Sequence, residues 1–166
     1  MPTYYTFIES PLQPLLLVSD GSALVGLYMS EHRYGPKIEL DWVKDGQVEP
    51  FTQAQEQLEA YFARELQDFT LPLAMHGTAF QKAVWQELQM VPYGVTTTYS
   101  DLARQIERPH SVRAVGQANA HNPISIIVPC HRVISSSGKL TGYGGGLERK
   151  AALLALEGVM LFPKSQ

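Results

Sequence analysis

The hydrophobic pattern changes period near residue 75, and this limits the chain to a sheet-forming unit followed by a helical one. Before that point the apolar runs are short and closely punctuated. Tyr4–Ile8, Leu15–Val18 and Leu24–Met29 are separated by Ser10-Pro11, Pro14 and Ser19-Asp20-Gly21-Ser22, the pattern of strands bounded by turns. Ile38–Val43 reads as a further strand. Ala54, Leu58, Tyr61, Phe62 and Leu66 fall on one stripe, so the spacing predicts a helix over about Thr52–Glu65. Phe69–Met75, interrupted by Pro72, reads as a linker. Residues 1–75 therefore form a small α+β unit. His32 and His76 stand alone in it and read as surface histidines.

Residues 76–166 read as a second, mostly helical domain. Thr78 and Gln81 make a capping-box pair that opens a helix to about Met90, with Ala79, Phe80, Ala83, Val84, Trp85 and Leu88 on its core face. Val91-Pro92-Tyr93-Gly94 ends it. Thr98 with Asp101 caps a short helix, Ser100–Ile106. Glu107-Arg108-Pro109-His110 then breaks the chain, and Ser111 is placed to cap a second helix, about Val112–Ala120. Two short helices around a tight turn give helix-turn-helix geometry, which many hairpins that bind nothing also share. On the second helix Arg113, Gly116, Gln117 and Ala120 share a face, and Ala114 and Ala118 are also small. So thin a face suits close approach to a nucleic-acid groove. It suits close packing against another helix equally well.

Composition narrows the compartment and the partners. A chain of 166 residues, 45% hydrophobic and 17% charged, can bury a core in one domain or two small ones. No apolar run approaches the ~20 residues needed to span a bilayer. No basic segment followed by an apolar stretch opens the N-terminus, so a reducing, cytoplasmic setting is expected. A single cysteine excludes an internal disulfide and a cysteine zinc cluster, and no metal or cofactor is expected. The net charge of −3 conceals a division. Residues 1–75 carry four basic and eleven acidic side chains, a net of −7, and residues 76–166 carry nine and five, a net of +4. Only the second part is electrostatically suited to a polyanion, although small domains also differ in charge by chance.

The one cysteine lies in a distinctive string. After Asn122-Pro123 the run Ile124–Val128 reads as a short buried strand, leading into Pro129-Cys130-His131-Arg132-Val133. A strand ending in a proline-fixed turn can hold a nucleophile rigidly. A thiol with a reference pKa of ~8.5 is mostly protonated near neutral pH, and it needs a base or positive charge to become a reactive thiolate. His131 is adjacent. On an extended segment neighbouring side chains point to opposite faces, so contact through a bridging water is the expectation. Glu157, just past a Leu147–Leu156 helix, is the candidate to orient the imidazole. Lone cysteines are more often buried structural thiols; as a nucleophile, Cys130 is expected to be ionised and exposed at the floor of a cavity.

The strings Asn122-Pro123, Ile126-Ile127-Val128-Pro129-Cys130-His131-Arg132-Val133-Ile134 and Thr141-Gly142-Tyr143-Gly144-Gly145-Gly146 resemble the active-site signature of the methylated-DNA–protein-cysteine methyltransferases, the 6-O-alkylguanine-DNA alkyltransferases. The likeness extends through Phe80-Gln81, Pro92-Tyr93-Gly94, Tyr99, Arg113-Ala114-Val115-Gly116 and Glu157-Gly158. It implies an α/β fold of two small domains, the first α+β and ribonuclease H-like, the second winged helix-turn-helix-like. It also implies a protein that flips 6-O-alkylguanine out of duplex DNA and takes the alkyl group irreversibly onto Cys130. His131 would activate the thiol through a water and Glu157 would orient His131. Asn122 would tie the recognition helix to the active-site segment, and Tyr99 would help rotate the nucleotide and donate to the base. Arg113 would fill the vacated stack, with Ala114 and Gly116 allowing close approach to the minor groove. Tyr143, Gly144 and the backbone carbonyls of Cys130 and Val133 would line the base pocket, with Lys150 nearby. The implied protein is a monomer without cofactor. Two departures stand out. Gly144 occupies a position where many members have Ser or Ala, and Ala152 one that is commonly aromatic.

Three rival readings come from other classes. A non-enzymatic damage sensor or regulator would lack the acceptor cysteine, which is present here. A helix-turn-helix transcription factor would carry more base-reading side chains than Arg113 alone. A cysteine hydrolase would need an oxyanion hole, for which no separate motif occurs.

Overall fold

The computed structural model describes residues 2–159. Within them the chain divides into two compact units. The first runs up to His76 and also takes in Pro123–Ile127; the second comprises Gly77–Asn122 and the chain from Val128 onward. The sequence reading had assigned residues 123–127 to the second part.

In the first unit, β1 (Tyr4–Ile8), β2 (Leu15–Ser19) and β3 (Leu24–Met29) form an antiparallel meander, with Ile8 opposite Leu15 and Leu15 opposite Met29. A two-residue β4 (Val43–Lys44) pairs parallel to β1, giving the order β3-β2-β1-β4. Every residue of β2 is buried, as a central strand enclosed on both faces requires. The strand expected over Ile38–Val43 shrinks to these two residues. Leu40 is fully exposed and Ile38 and Val43 are also exposed, so no buried face holds that run against the sheet. Helix α1 (Phe51–Phe62) buries Phe51, Ala54, Leu58 and Tyr61. It ends before the anticipated Glu65, because Arg64 turns left-handed at φ 63°. The expected linker is partly ladder: Leu24 N–H donates to the Pro72 carbonyl at 2.8 Å and Ala74 N–H to the Leu24 carbonyl at 2.9 Å. Further along the same edge Leu27 bridges Ile124, so the free side of β3 is covered.

The run 124–128, expected as a strand, is a turn. Ile126 has φ 73°, and the Ile127 N–H closes back on the Ser125 carbonyl at 2.8 Å. Ile124, Ser125, Ile126, Ile127 and Val128 are all buried. The apolar run records enclosure, and periodicity alone cannot separate a buried loop from a buried strand.

In the second unit, α2 (Ala79–Leu88) opens with the complete reciprocal capping box between Thr78 and Gln81, and it buries Val84, Trp85 and Leu88. A parallel ribbon joins β5 (Thr97–Thr98) to β6 (Val133–Ile134). It brings Tyr99, the first residue of α3 (Tyr99–Gln105), into the neighbourhood of Cys130-His131-Arg132. Thr98 caps α3 by accepting from the Asp101 N–H. Helix α4 (Val112–Ala120) packs on α2 and α3, and the Trp85 indole donates to the Ala118 carbonyl at 2.8 Å. Helix α5 (Leu147–Leu156) completes the unit. Ser111 occupies the N-cap of α4 but makes no side-chain capping bond, contrary to expectation. Its φ of −105° and ψ of 34° lie outside the extended conformation from which a cap side chain reaches back. The two positions predict different outcomes in urea unfolding. Thr78→Ala should lower stability by about 1 kcal/mol, and Ser111→Ala by less than about 0.5 kcal/mol.

Candidate active site

Cys130, His131 and Arg132 form one turn of 3₁₀ helix after Pro129, not the extended segment anticipated. With three residues per turn, their side chains fan outward in three directions. Cys130 is only 3% exposed. Burial pushes its thiol up to about 11; a hydrogen bond from Asn122 and the charge of Lys150 act in the opposite direction but do not prevail. The expectation of an ionised, open thiol therefore needs correction: at rest the sulfur is protonated and covered.

Asn122 lies just beyond α4. Its side-chain amide donates to the Val128 carbonyl at 2.7 Å and reaches the thiol, closing the loop between helix and cysteine. Lys150, on α5, is wholly buried. Its ammonium donates to the Thr141 carbonyl at 2.6 Å and lies 5.9 Å from the centre of the Tyr99 ring. Burial pulls its pKa down to about 8. The Tyr99 hydroxyl donates to the same Thr141 carbonyl at 3.0 Å. Burial raises the phenol's pKa, so it remains a donor at neutral pH.

The second cluster centres on Glu157, which caps the end of α5. His131 Nε2 donates to Glu157 Oε2 at 2.7 Å. Arg132 grips both carboxylate oxygens, Nε to Oε1 at 2.9 Å and Nη2 to Oε2 at 3.0 Å, while Nη1 donates to the Val91 carbonyl at 2.7 Å. Gly94, left-handed at φ 75°, aims its N–H at Oε1 from 3.2 Å. Because the carboxylate can only accept, the proton on that edge of the imidazole belongs to Nε2. Nδ1 is then the basic nitrogen, and it is buried with no partner among the described residues. Burial lowers the pKa of His131, against the pull of Glu157, so the ring is neutral at pH 7.

The remaining anticipated residues divide by location. Arg113 and Ala114 are exposed on α4. Gly116 is half-buried beside Tyr99; a Cβ there would lie 3.8 Å from the ring, ordinary contact, so interior packing does not demand glycine. Val133, Tyr143 and Gly144 are buried. Two contacts are not legible in the sequence. The bidentate hold of Arg132 on Glu157 joins positions far apart in the chain, which no local pattern reveals. Asn119 did leave a signal, as the polar member of the buried stripe Val115, Ala118 and Asn119. Its amide donates to the Cys130 carbonyl at 3.3 Å. Replacing Arg132 by Met leaves the buried Glu157 charge without its guanidinium, and denaturant unfolding should report a loss of about 3–5 kcal/mol.

Known proteins resemble this chain over nearly all of its length. Residues 3–75 match the family model of the 6-O-methylguanine DNA methyltransferase ribonuclease-like domain, and residues 79–159 match that of its DNA binding domain. The methylated-DNA–protein-cysteine methyltransferase of Mycobacterium tuberculosis is 53% identical over 154 residues, covering 93% of this chain and 92% of that protein. The protein of the same name from Methanosarcina acetivorans is 50% identical over 157 residues, covering 93% and 98%. Among solved structures, that of Mycobacterium tuberculosis OGT in complex with DNA matches with a TM-score of 0.86 at 51% identity, covering 93% of this chain and 92% of that one. From its two domains to the setting of its one cysteine, the chain belongs to the 6-O-methylguanine-DNA methyltransferase family.

Proposed function

We infer that this protein repairs alkylated DNA by accepting the alkyl group of a 6-O-alkylguanine on Cys130, in a single irreversible transfer. The observation that carries the reading is a shielded thiol next in sequence to a neutral histidine, whose basic Nδ1 has no partner among the described residues and whose Nε2 is fixed on a carboxylate. The relative crystallised with DNA supports DNA as the partner.

The proposed chemistry uses this chain's own groups. A water between Sγ and Nδ1 carries the thiol proton to His131. The resulting imidazolium is stabilised by Glu157, with Arg132 holding that carboxylate in place. The thiolate, favoured by Asn122 and the Lys150 charge, attacks the alkyl carbon. The C–O bond breaks, its electron pair goes to O6 of guanine, and a thioether forms. Tyr99, kept protonated, can turn its hydroxyl from Thr141 to the base and stabilise the departing anion. Among the described residues no group is suited to cleaving the thioether, so each molecule acts once. That chemistry, and the presence of the acceptor itself, disfavour a purely sensing role.

The alkylated oxygen lies inside the stack, so the base must be everted. Arg113, exposed on α4, is suited to fill the gap. Ala114 and Gly116 keep the helix face thin enough for the minor groove, where little sequence is read. Val133, Tyr143 and Gly144 line the receiving pocket. On this reading residues 76–166 form the DNA-binding and acceptor domain, 1–75 form the N-terminal domain, and a monomer in the reducing cytoplasm suffices.

The test is an adduct measurement. Incubation with duplex DNA containing 6-O-methylguanine should add one methyl per protein molecule, on Cys130 by peptide mass spectrometry. Cys130→Ala should still bind the duplex but remove no methyl; continued transfer by that variant, or removal of several methyl groups per protein molecule without an adduct, would refute the reading. The single-turnover rate should also trace a bell against pH. It should rise as His131 loses its proton, below the ordinary histidine value, and fall through about 8 as Lys150 loses its charge. Lys150→Arg, which stays cationic, should abolish the alkaline fall. A rate still climbing toward pH 11 would mean that the thiol ionises without help from His131.

A further inference from the structure

We propose that Ile126 is a positioning residue for alkyl transfer: its left-handed turn, held against the preference of a β-branched side chain, sets the place of the Cys130 sulfur. This rests on the alkyl-transfer reading and adds to it the backbone device that aims the acceptor.

Five non-glycine residues among those described have positive φ. Gln13, Glu31, Arg64 and Glu107 are exposed, polar and unbranched at Cβ. Ile126 differs from all four. It is 1% exposed, and a φ of 73° is a true outlier for a β-branched side chain. The Ile127 N–H closes on the Ser125 carbonyl, two residues back, at 2.8 Å. The turn is thus a γ-turn of the left-handed form, the rarer and strained one. Glycine would take this conformation without that cost. A second cost lies beside it, since Ser125 Oγ is buried with no partner among the described residues. Strain of this kind persists only where the surroundings over-determine it, and it gathers at functional sites.

Both ends of the turn are anchored. Upstream, the Leu27 N–H donates to the Pro123 carbonyl at 2.9 Å and the Ser125 N–H to the Leu27 carbonyl at 3.1 Å. Downstream, the Val128 carbonyl accepts from the Asn122 side chain at 2.7 Å and from the Cys130 N–H at 2.8 Å. The Pro129 ring then fixes its own φ, here −83°. Only Ile127, itself buried, lies between the strained turn and this fixed stretch. A change of hand at Ile126 is therefore carried to the sulfur. Displacing a reacting group by about 1 Å can slow a reaction by about a hundredfold. On this reading the buried grip on Ile126 is a grip on Cys130.

The experiment measures single-turnover transfer for Ile126→Ala and Ile126→Gly, at saturating duplex containing 6-O-methylguanine. Both variants lose the isoleucine packing, and they differ from each other by one methyl group. The left-handed backbone disfavours alanine relative to glycine by about tenfold. The alanine variant should therefore transfer about tenfold more slowly than the glycine variant, with equal affinity for the duplex. A packing role alone leaves the two level or reverses their order, because alanine keeps more of the buried side chain. Equal rates, or a faster alanine variant, would overturn the proposal, as would a difference lying wholly in duplex affinity. If the alanine variant does not fold, Ile126→Thr and Ile126→Asn repeat the comparison at closely matched volume. Asparagine tolerates the left-handed region and a β-branched residue does not, so the asparagine variant should be the faster by a similar factor; equality would again overturn the proposal. Failure of the wild-type protein to acquire a methyl would overturn the alkyl-transfer reading itself, and this proposal with it.

Discussion

Glu157 is a buried negative charge at the end of a helix, and two separate pieces of the second unit converge on it. Arg132 contributes two hydrogen bonds, His131 one and the Gly94 backbone another. Burying a carboxylate is expensive unless charge and donors meet it on every side. Here they come from the 3₁₀ turn and from the segment following α2. The outcome is geometric as much as energetic. A histidine so held cannot rotate freely, and its tautomer is dictated by a group that can only accept. The direction of the basic nitrogen is thus settled before any substrate arrives.

Helix α4 has two faces. Its exposed side carries Arg113 and Ala114, and its buried stripe carries Asn119, bonded to the backbone carbonyl of Cys130. Asn122 follows and binds the thiol's loop at Val128. The outer side of α4 is therefore linked, through two asparagine side chains, to the position of the sulfur; on the proposed function, that is the side that would dock on DNA. Short, polar side chains suit this better than apolar ones, because each bond fixes direction as well as distance.

Much of this was legible in the sequence, for identifiable reasons. The strands Tyr4–Ile8 and Leu24–Met29, the capping box at Thr78 and the helix Val112–Ala120 follow from local pattern, and the structure contains them. The motif around Cys130 pointed to the family, which the comparisons establish. What failed depended on surroundings that a local pattern does not encode. The run from Ile124 to Val128 was apolar through enclosure, not pairing. Ile38–Val43 had strand composition but nothing to pack on. Ser111 had the right identity and the wrong backbone angles. The thiol's state was misjudged for the same reason: neighbouring charges can be read from a motif, whereas desolvation depends on everything folded over it.

That covering has a consequence for a protein used only once. With its pKa near 11, the sulfur is ionised in about one molecule in ten thousand at neutral pH, and oxidants and stray electrophiles attack the ionised form. A reagent that cannot be regenerated loses its whole value to a single accidental encounter. Sealing the nucleophile makes it sluggish in isolation but extends its shelf life.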